Sequence, residues 1–186
     1  MTMEWREYER LSERTLSSEF HCDQRMQRML HAVMGMLTEI EEVLDNHSSA
    51  RVDDVNKAEE WGDIAWYLAI LTRECAVSPD DHRGPGDGAS PDTHIMELTK
   101  HLLRFLDMFK KSLYYGRKFD DESARSLTLS IIRSALGYAS AVGIETGHAL
   151  RANIEKLRAR YGEKFSSQSA INRDLDNERR VLSDNL

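Results

Sequence analysis

Apolar residues recur every three or four positions along most of this chain, which is the spacing of an amphipathic α-helix. No segment alternates apolar and polar residues strongly enough to predict a β-strand. The helices predicted from this spacing cover residues 3–17, 21–46, 53–76, 92–115, 120–140 and 145–161. The sequence therefore predicts an all-α fold, a bundle of about five to six helices.

Two of these helices carry long apolar stripes that we expect to face the core. The stripes consist of Leu30, Val33, Leu37, Ile40 and Leu44 in the first helix, and of Trp61, Ile64, Ala65, Leu68 and Leu71 in the second. Because the two helices follow one another with a short connection, they are expected to pack side by side in antiparallel contact.

All three prolines of the chain fall within residues 79–91, together with three glycines. Because proline and glycine both interrupt helices, this stretch is interpreted as a linker. Beyond it, Asp92 or Thr93 is expected to cap a helix that Gly116 ends.

The linker divides the sequence into two halves with a similar plan. Each half is predicted to be a helical hairpin whose second helix begins at a pair of aspartates. The halves are either copies of one another or alike by chance, and the sequence leaves both explanations open. We treat 1–186 as one all-α domain. Its parts are an acidic, metal-binding half at 1–78, the linker at 79–91, a second helical half at 92–165 and a polar tail at 166–186.

The composition indicates a globular protein with no nucleic-acid polymer as its partner. The chain has 186 residues, of which 40 % are hydrophobic, and a formal net charge of −7, which disfavours binding to polymeric phosphates. No apolar run approaches the roughly 20 residues that span a bilayer, and the first residues lack the apolar core of a signal peptide, so no membrane partner is expected. The two isolated cysteines suit a reducing compartment, which predicts a cytoplasmic location.

Two acidic patterns carry the candidate chemistry, Glu39-Ile-Glu-Glu42 and Glu60-Trp-Gly-Asp63. Each places two carboxylates three positions apart, and therefore on one helix face. Most such pairs are solvated surface residues, but these border apolar positions, where an unpaired charge is costly. Four converging carboxylates repel one another unless a cation lies between them. Oxygen ligands favour a hard divalent cation, so we expect Mg2+, with Mn2+ as a substitute.

Three segments of the chain resemble a known family. They are Gly-Met-Leu-Thr-Glu-Ile-Glu-Glu-Val-Leu-Asp at 35–45, Glu-Glu-Trp-Gly-Asp-Ile-Ala-Trp-Tyr-Leu-Ala at 59–69, and Asn-Ile-Glu-Lys-Leu-Arg-Ala-Arg-Tyr-Gly-Glu-Lys-Phe at 153–165. Together they resemble the MazG-like all-α nucleoside triphosphate pyrophosphohydrolases. The signature of that family is a Glu-x-x-Glu helix followed by a Glu-x-x-Asp helix, with a later Asn-x-x-Lys segment.

The resemblance implies that Glu39, Glu42, Glu60 and Asp63 bind magnesium. It also implies hydrolysis of a nucleoside triphosphate between the α and β phosphates, which gives a monophosphate and pyrophosphate. Glu39 and Glu42 are the expected catalytic residues, because they would hold the attacking water at the metal. One position departs from the family. Many members begin the first motif with two adjacent glutamates, and Thr38 stands where one candidate for activating the water is expected.

The resemblance further implies a set of substrate-binding residues. They are Lys110, Lys111, Arg117, Asn153, Lys156, Arg160 and Tyr161. Each basic residue among them has a simpler explanation as a solvated surface charge. Tyr161 or Trp66 is a candidate for stacking on the base. Gln27 and His31 lie on the helix side that leads toward Glu39, and are candidates for lining a base pocket.

Other functions share parts of this pattern. A catalytically inactive helical interaction module of the same fold is one alternative, and a related hydrolase acting on an alarmone or a phosphoribosyl nucleotide is another. A di-iron carboxylate bundle needs a Glu-x-x-His pair on each of two helices, which the chain does not supply. Family resemblance favours deoxynucleoside triphosphates as substrates and a homodimer or higher homo-oligomer as the assembly.

Overall fold

The computed structural model describes residues 3–48, 53–79, 88–162 and 164–186. The helices in these ranges are α1 (Trp5–Ser12), α2 (Gln24–Ser48), α3 (Asp54–Glu74), α4 (Pro91–Tyr115), α5 (Asp121–Ala141), α6 (Thr146–Tyr161), α7 (Ser167–Ile171) and α8 (Leu175–Asn185). The described ranges contain no strand, so the predicted all-α bundle is confirmed, with more helices than predicted. Across the same ranges, no single helix has the length and apolar composition to cross a membrane. Helices α5 and α6 meet that criterion only as a pair bent by 103°.

The start of α4 differs from the prediction. Ser90, rather than Asp92 or Thr93, caps the helix, because its side chain accepts the backbone N–H of Thr93. Pro91 then occupies the first turn, where its missing N–H costs nothing and its fixed φ suits the helix. Gly116 ends α4 in the left-handed conformation with φ of 62°, as predicted. Most of the predicted linker, residues 80–87, lies outside the described residues.

Helices α2 and α3 form one antiparallel hairpin, and α4 and α5 form another. An ion pair of 2.6 Å between Arg28 Nε and Glu74 Oε1 joins the start of α2 to the end of α3. In the second hairpin, the His94 ring lies so close to Gly137 that a Cβ atom there would come within 2.3 Å of it. The hairpins pack through α2 on α4 and α3 on α5, and α6 packs on α3.

Buried side chains from both hairpins form one shared hydrophobic core. The predicted inward positions are confirmed as buried or partly buried with one exception. Leu44 is 47 % exposed, because Ile40 and Val43 already face the core and the next position is rotated away from it. Trp61 ties the hairpins together by donating from Nε1 to the carbonyl of Ala135 at 3.1 Å.

The segment 166–186, interpreted as a polar tail, contains two helices that the sequence analysis did not predict, α7 and α8. Helix α8 packs on α6, and Leu182 is 1 % exposed. The buried face of α8 is narrow, and it includes the charged residue Glu178. A helix with so few apolar residues gives little periodicity in the sequence, which explains why α8 was not predicted.

Candidate metal centre

Three carboxylates meet between α2 and α3. The ligand oxygens of Glu39, Glu42 and Glu60 all lie within 4.8 Å of one another. Glu39 and Glu42 are one turn apart on α2, and the antiparallel α3 brings Glu60 opposite them. Glu60 is 5 % exposed, Glu39 is half-buried and Glu42 is exposed. The cluster therefore extends from the inside of the hairpin to solvent.

Asp63 lies beside this cluster but is held by α6. Its Oδ1 accepts a hydrogen bond of 2.6 Å from Asn153 Nδ2, and its Oδ2 lies 2.5 Å from Lys156 Nζ. Lys156 is 0 % exposed and also lies 3.2 Å from Glu59 Oε1. The structure therefore groups three of the four predicted metal ligands and engages the fourth in a buried ion pair.

The close approach of α6 to α3 depends on a residue inside the second acidic motif. A Cβ atom at Gly62 would lie 3.0 Å from the Cβ of Asn153, closer than almost all such contacts. Both Asn153 and Lys156 are buried and contact Asp63. In the structure both side chains hold a carboxylate of the site, and the contacts with substrate that the resemblance implies stay a prediction.

Burial and mutual repulsion raise the pKa of two of the clustered glutamates. Burial is the largest cause for Glu60, followed by the charges of Glu42 and Glu59, and its pKa rises to about 8. For Glu39, burial and then the charges of Asp63 and Glu42 raise the pKa to about 7. A divalent cation between these oxygens would relieve the repulsion, and an all-oxygen donor set fits a hard cation.

The cluster opens into a cavity of about 480 Å³ that is bordered by α2, α3, α6 and the C-terminal segment. Aromatic rings form part of its wall: the His31 ring lies 5.5 Å from that of Tyr67 and 6.3 Å from that of Trp66. Tyr161 also lines the cavity. Three of the four residues predicted to contact the base, His31, Trp66 and Tyr161, therefore border it. Gln27 is exposed and is not among the lining residues. A cavity of this size is large enough for a nucleotide.

Two arginines at this cavity converge on one buried glutamate. Arg160 donates from Nε to Glu178 Oε1 at 2.9 Å and from Nη2 to Oε2, and Arg173 Nη2 lies 2.8 Å from the same Oε2. Although burial opposes it, hydrogen bonds from both arginines keep the pKa of Glu178 below its usual value. The predicted Arg160 is therefore at the cavity together with Arg173, which the sequence interpretation missed. One feature of the sequence does indicate a helix here: Leu175 and Leu182 are seven residues apart, on either side of Glu178.

Three other predicted cations lie elsewhere. Lys110 and Lys111 both pair with Asp107, at 2.6 and 2.5 Å. Lys111 and Arg117 line a separate cavity between α4 and α5, and none of the three cations lines the carboxylate cavity.

The packing of α4 explains this separation. The end of α4 lies against the start of α2, where the His21 N–H donates to the Leu113 carbonyl at 2.8 Å. Glu39 is roughly 20 Å further along α2, at 1.5 Å of rise per residue. Within one chain, the predicted phosphate contacts at the end of α4 are therefore not brought to the carboxylates.

Thr38 does not replace the missing glutamate. Its hydroxyl donates to the carbonyl of Gly35 at 2.8 Å, within its own helix. Glu59 does line the cavity, where it is paired with Lys156. Glu59 lies four positions before Asp63 in the sequence, a spacing that places both carboxylates on one helix face.

Comparisons with known proteins identify no relative of this chain. No protein-family model matches the chain, and no curated protein or solved structure matches it significantly. The family resemblance based on the motifs therefore stays a prediction.

Proposed function

We propose that this protein is a magnesium-dependent nucleoside triphosphate pyrophosphohydrolase. It would cleave a ribo- or deoxynucleoside triphosphate between the α and β phosphates, in the cytoplasm and as a homodimer or larger assembly. The observation that carries the proposal is the convergence of Glu39, Glu42 and Glu60 within 4.8 Å, beside a cavity lined by aromatic rings and arginines. Acidic, aromatic and cationic groups in one cavity match the three parts of a nucleotide–metal complex.

The three carboxylates have the chemistry of a magnesium site. Glu39, Glu42 and Glu60 offer only oxygen donors. Burial, and then the charges of neighbouring carboxylates, raise the pKa of Glu39 and of Glu60, and a cation between the oxygens would offset that repulsion. When bound there, Mg2+ or Mn2+ would neutralise the phosphates and lower the pKa of an attacking water. Asp63 completes the acidic wall, with its orientation fixed by Asn153.

Arg160 and Arg173 are the proposed phosphate contacts within the chain. Both line the carboxylate cavity, and their guanidinium groups are held in place by Glu178. Planar guanidinium groups bind phosphate oxygens through several N–H donors at once. The two arginines would therefore offset the charge of the β and γ phosphates, and the carboxylates would hold the cation.

The reaction needs one proton acceptor. A water oxygen forms a bond to the α-phosphorus, the bond from that phosphorus to the α–β bridging oxygen breaks, and pyrophosphate leaves. The water proton would pass to a carboxylate oxygen of Glu39 or Glu42. Thr38 takes no part, because its hydroxyl is bonded within α2.

The base would lie against the aromatic part of the cavity. Trp66, Tyr67 and His31 form an edge-to-face group there, and Tyr161 lines the same cavity. Aromatic faces stack on nucleobases with little dependence on the identity of the base. The arrangement therefore favours a nucleotide over inorganic polyphosphate.

The proposal is tested by incubating the purified protein with Mg2+ and a panel of nucleoside triphosphates, and measuring pyrophosphate release. The panel includes an alarmone and a phosphoribosyl nucleotide. We expect release from at least one triphosphate, and a decrease of roughly 100-fold or more in Glu39→Gln and Glu60→Gln. Glu41→Gln is the matched control, because Glu41 lies on the same helix outside the cavity.

Two outcomes separate this proposal from the alternatives. Hydrolysis of only the alarmone or the phosphoribosyl nucleotide would assign the site to a related hydrolase. No hydrolysis of any compound, with a thermal unfolding midpoint that Mg2+ leaves unchanged, would favour the inactive helical module.

A further inference from the structure

A second cavity, of about 650 Å³, lies between the end of α4 and the start of α5. Its lining is rich in positive charge. The four cations around it are Arg104, Lys111, Arg117 and Lys118, against the two carboxylates of Asp107 and Asp120. This concentration of cations occurs in a chain whose formal net charge is −7. The cavity is therefore a local exception to the overall charge of the protein.

Both carboxylates of this cavity are already engaged. Asp107 pairs with Lys110 and Lys111, and these hydrogen bonds lower its pKa to about 2. Asp120 caps α5, where it accepts the backbone N–H of Ser123 at 3.0 Å and the hydroxyl of the same residue at 2.7 Å. Neither carboxylate pairs with the remaining cations of the cavity, so those cations are not neutralised from within it.

Three of the four cations are not paired within the part of the chain that the structure describes. The side chains of Arg104, Arg117 and Lys118 form no hydrogen bond or ion pair with any residue that the structure describes. They project from two different elements, the last turns of α4 and the connection that follows it. Cations that surround a concave space and lack internal partners provide a site for an anion.

The connection that carries Arg117 and Lys118 is held in place by its neighbours. Gly116 begins it in a left-handed conformation, and Phe119 stacks on Phe109 with ring centroids 5.5 Å apart. The segment before α2 lies against the same end of α4, where Ser17 Oγ donates to the Tyr114 carbonyl at 3.0 Å. The two cations therefore start from a fixed backbone, which lowers the entropic cost of binding.

We propose that this cavity is a separate anion site that binds the diphosphate group of a small phosphorylated molecule. Several cations spread over one cavity match a diphosphate better than a single phosphate, because more oxygens are contacted at once. The net negative charge of the protein disfavours a polymeric anion, and the volume suits a small molecule. The site is distinct from the carboxylate cavity and does not depend on the proposed hydrolysis.

The test is isothermal titration calorimetry on the metal-free protein at low ionic strength, with inorganic pyrophosphate, ADP and adenosine as separate probes. Without metal, the carboxylates of the other cavity have no cation to offset their charge, which weakens anion binding there. We expect pyrophosphate and ADP to bind and adenosine not to bind. The double variant Arg104→Ala/Arg117→Ala should weaken pyrophosphate binding by roughly tenfold or more.

The matched control is Arg133→Ala/Arg151→Ala, which removes the same charge from exposed positions outside the cavity. Its pyrophosphate affinity should stay within a factor of about two of the wild type, because long-range charge effects are screened. An equal loss in both double variants would overturn the proposal by assigning the effect to overall charge. Because Arg104 and Arg117 are exposed, both double variants should keep the wild-type thermal unfolding midpoint.

Three further outcomes would overturn the proposal. The first is no measurable pyrophosphate binding by the wild type. The second is adenosine binding as tight as ADP binding, which would mean that the diphosphate is not recognised. The third is loss of pyrophosphate binding in Arg173→Ala, which would place the anion in the carboxylate cavity. None of these results depends on hydrolysis, so they leave the proposed function to its own test.

Discussion

Lys156 is a fully buried cation at the contact between α3 and α6. Its ammonium group contacts Glu59 and Asp63, and no part of the residue is exposed. Lys156→Ala would leave these carboxylates without their cation in a region that already holds Glu39 and Glu60. We expect the free energy of unfolding in urea to fall by about 3 kcal/mol.

The control for this prediction is an exposed ion pair on the same helix. Arg158 lies 2.6 Å from Glu155, and both residues are solvated. Arg158→Ala should therefore lower the free energy of unfolding by less than about 1 kcal/mol. Similar losses in the two variants would show that the burial of Lys156 has no energetic consequence.

The raised pKa values of Glu39 and Glu60 predict a pH-dependent stability. In the folded protein they lie at about 7 and about 8, above the ordinary value of 4.5 that applies when the chain unfolds. Between these values the folded state keeps protons that the unfolded state releases. The free energy of unfolding of the metal-free protein should therefore fall as pH rises from 4.5 to 8.

Thermal unfolding between these pH values, with and without Mg2+, measures this effect. Mg2+ must displace the retained protons, so its binding should release protons and become tighter as pH rises. Glu60→Gln should remove most of the pH slope of the metal-free protein. An unchanged slope in that variant would mean that Glu60 titrates normally.

At the scale of the elements, Gly35 sets the distance between α2 and α3 near the site. A Cβ atom there would lie 2.2 Å from the Tyr67 ring, which is packed beside Trp66 and His31. Gly35→Ala should displace this ring and lower the free energy of unfolding by about 1–3 kcal/mol, despite the better helix propensity of alanine. The measurement is a double-mutant cycle by urea unfolding. The loss should largely vanish in a Tyr67→Ala background, and a loss that persists there would assign it to the backbone.

The C-terminal segment 166–186 is predicted to contribute both stability and substrate binding. Its removal would take away Arg173 and uncover the face of α6 on which Leu182 packs. We expect a lower thermal unfolding midpoint and, for any triphosphate that is hydrolysed, a KM increased by roughly tenfold or more.

Two point variants separate these contributions. Leu182→Ala keeps Arg173 and should lower the free energy of unfolding by about 2–4 kcal/mol with little change in KM. Arg173→Ala should raise KM with little change in stability, because Arg173 is exposed and Glu178 keeps its bonds to Arg160. A normal KM in Arg173→Ala would contradict its role in phosphate binding.

At the scale of the whole molecule, the predicted homodimer or larger assembly is open to direct measurement. Size-exclusion chromatography with light scattering should give a mass at least twice the 21.4 kDa of one chain. The reason comes from the site. Lys110 and Lys111 lie far from the carboxylates of their own chain, so for them to bind the phosphates of the hydrolysed nucleotide a second copy would be required. A monomeric mass with full activity would contradict both the predicted assembly and the predicted role of Lys110 and Lys111 in binding the nucleotide.

The sequence was sufficient to predict features that follow from local apolar periodicity. It was not sufficient to predict side chains that reach the site through contacts between distant segments. The helices and the α2–α3 hairpin follow from apolar periodicity, and the hairpin alone brings Glu39, Glu42 and Glu60 together. Arg173 and Glu178 are brought to the site by the packing of α8 on α6. The polar sequence of this segment gives no pattern from which that packing could be predicted. Local spacing also gave no measure of burial for the Asn-x-x-Lys segment, whose Asn153 and Lys156 side chains are buried and contact Asp63.

The Asp63–Lys156 pair has a consequence for the order in which the chain folds. The two residues are 93 positions apart in the sequence, so the acidic hairpin is synthesised well before the cation that balances it. Until α6 emerges from the ribosome, closing α2 against α3 would bring the acidic side chains together with no buried counter-charge. Repulsion among them should keep the nascent hairpin open, and its closure then coincides with the arrival of the helix that completes the site.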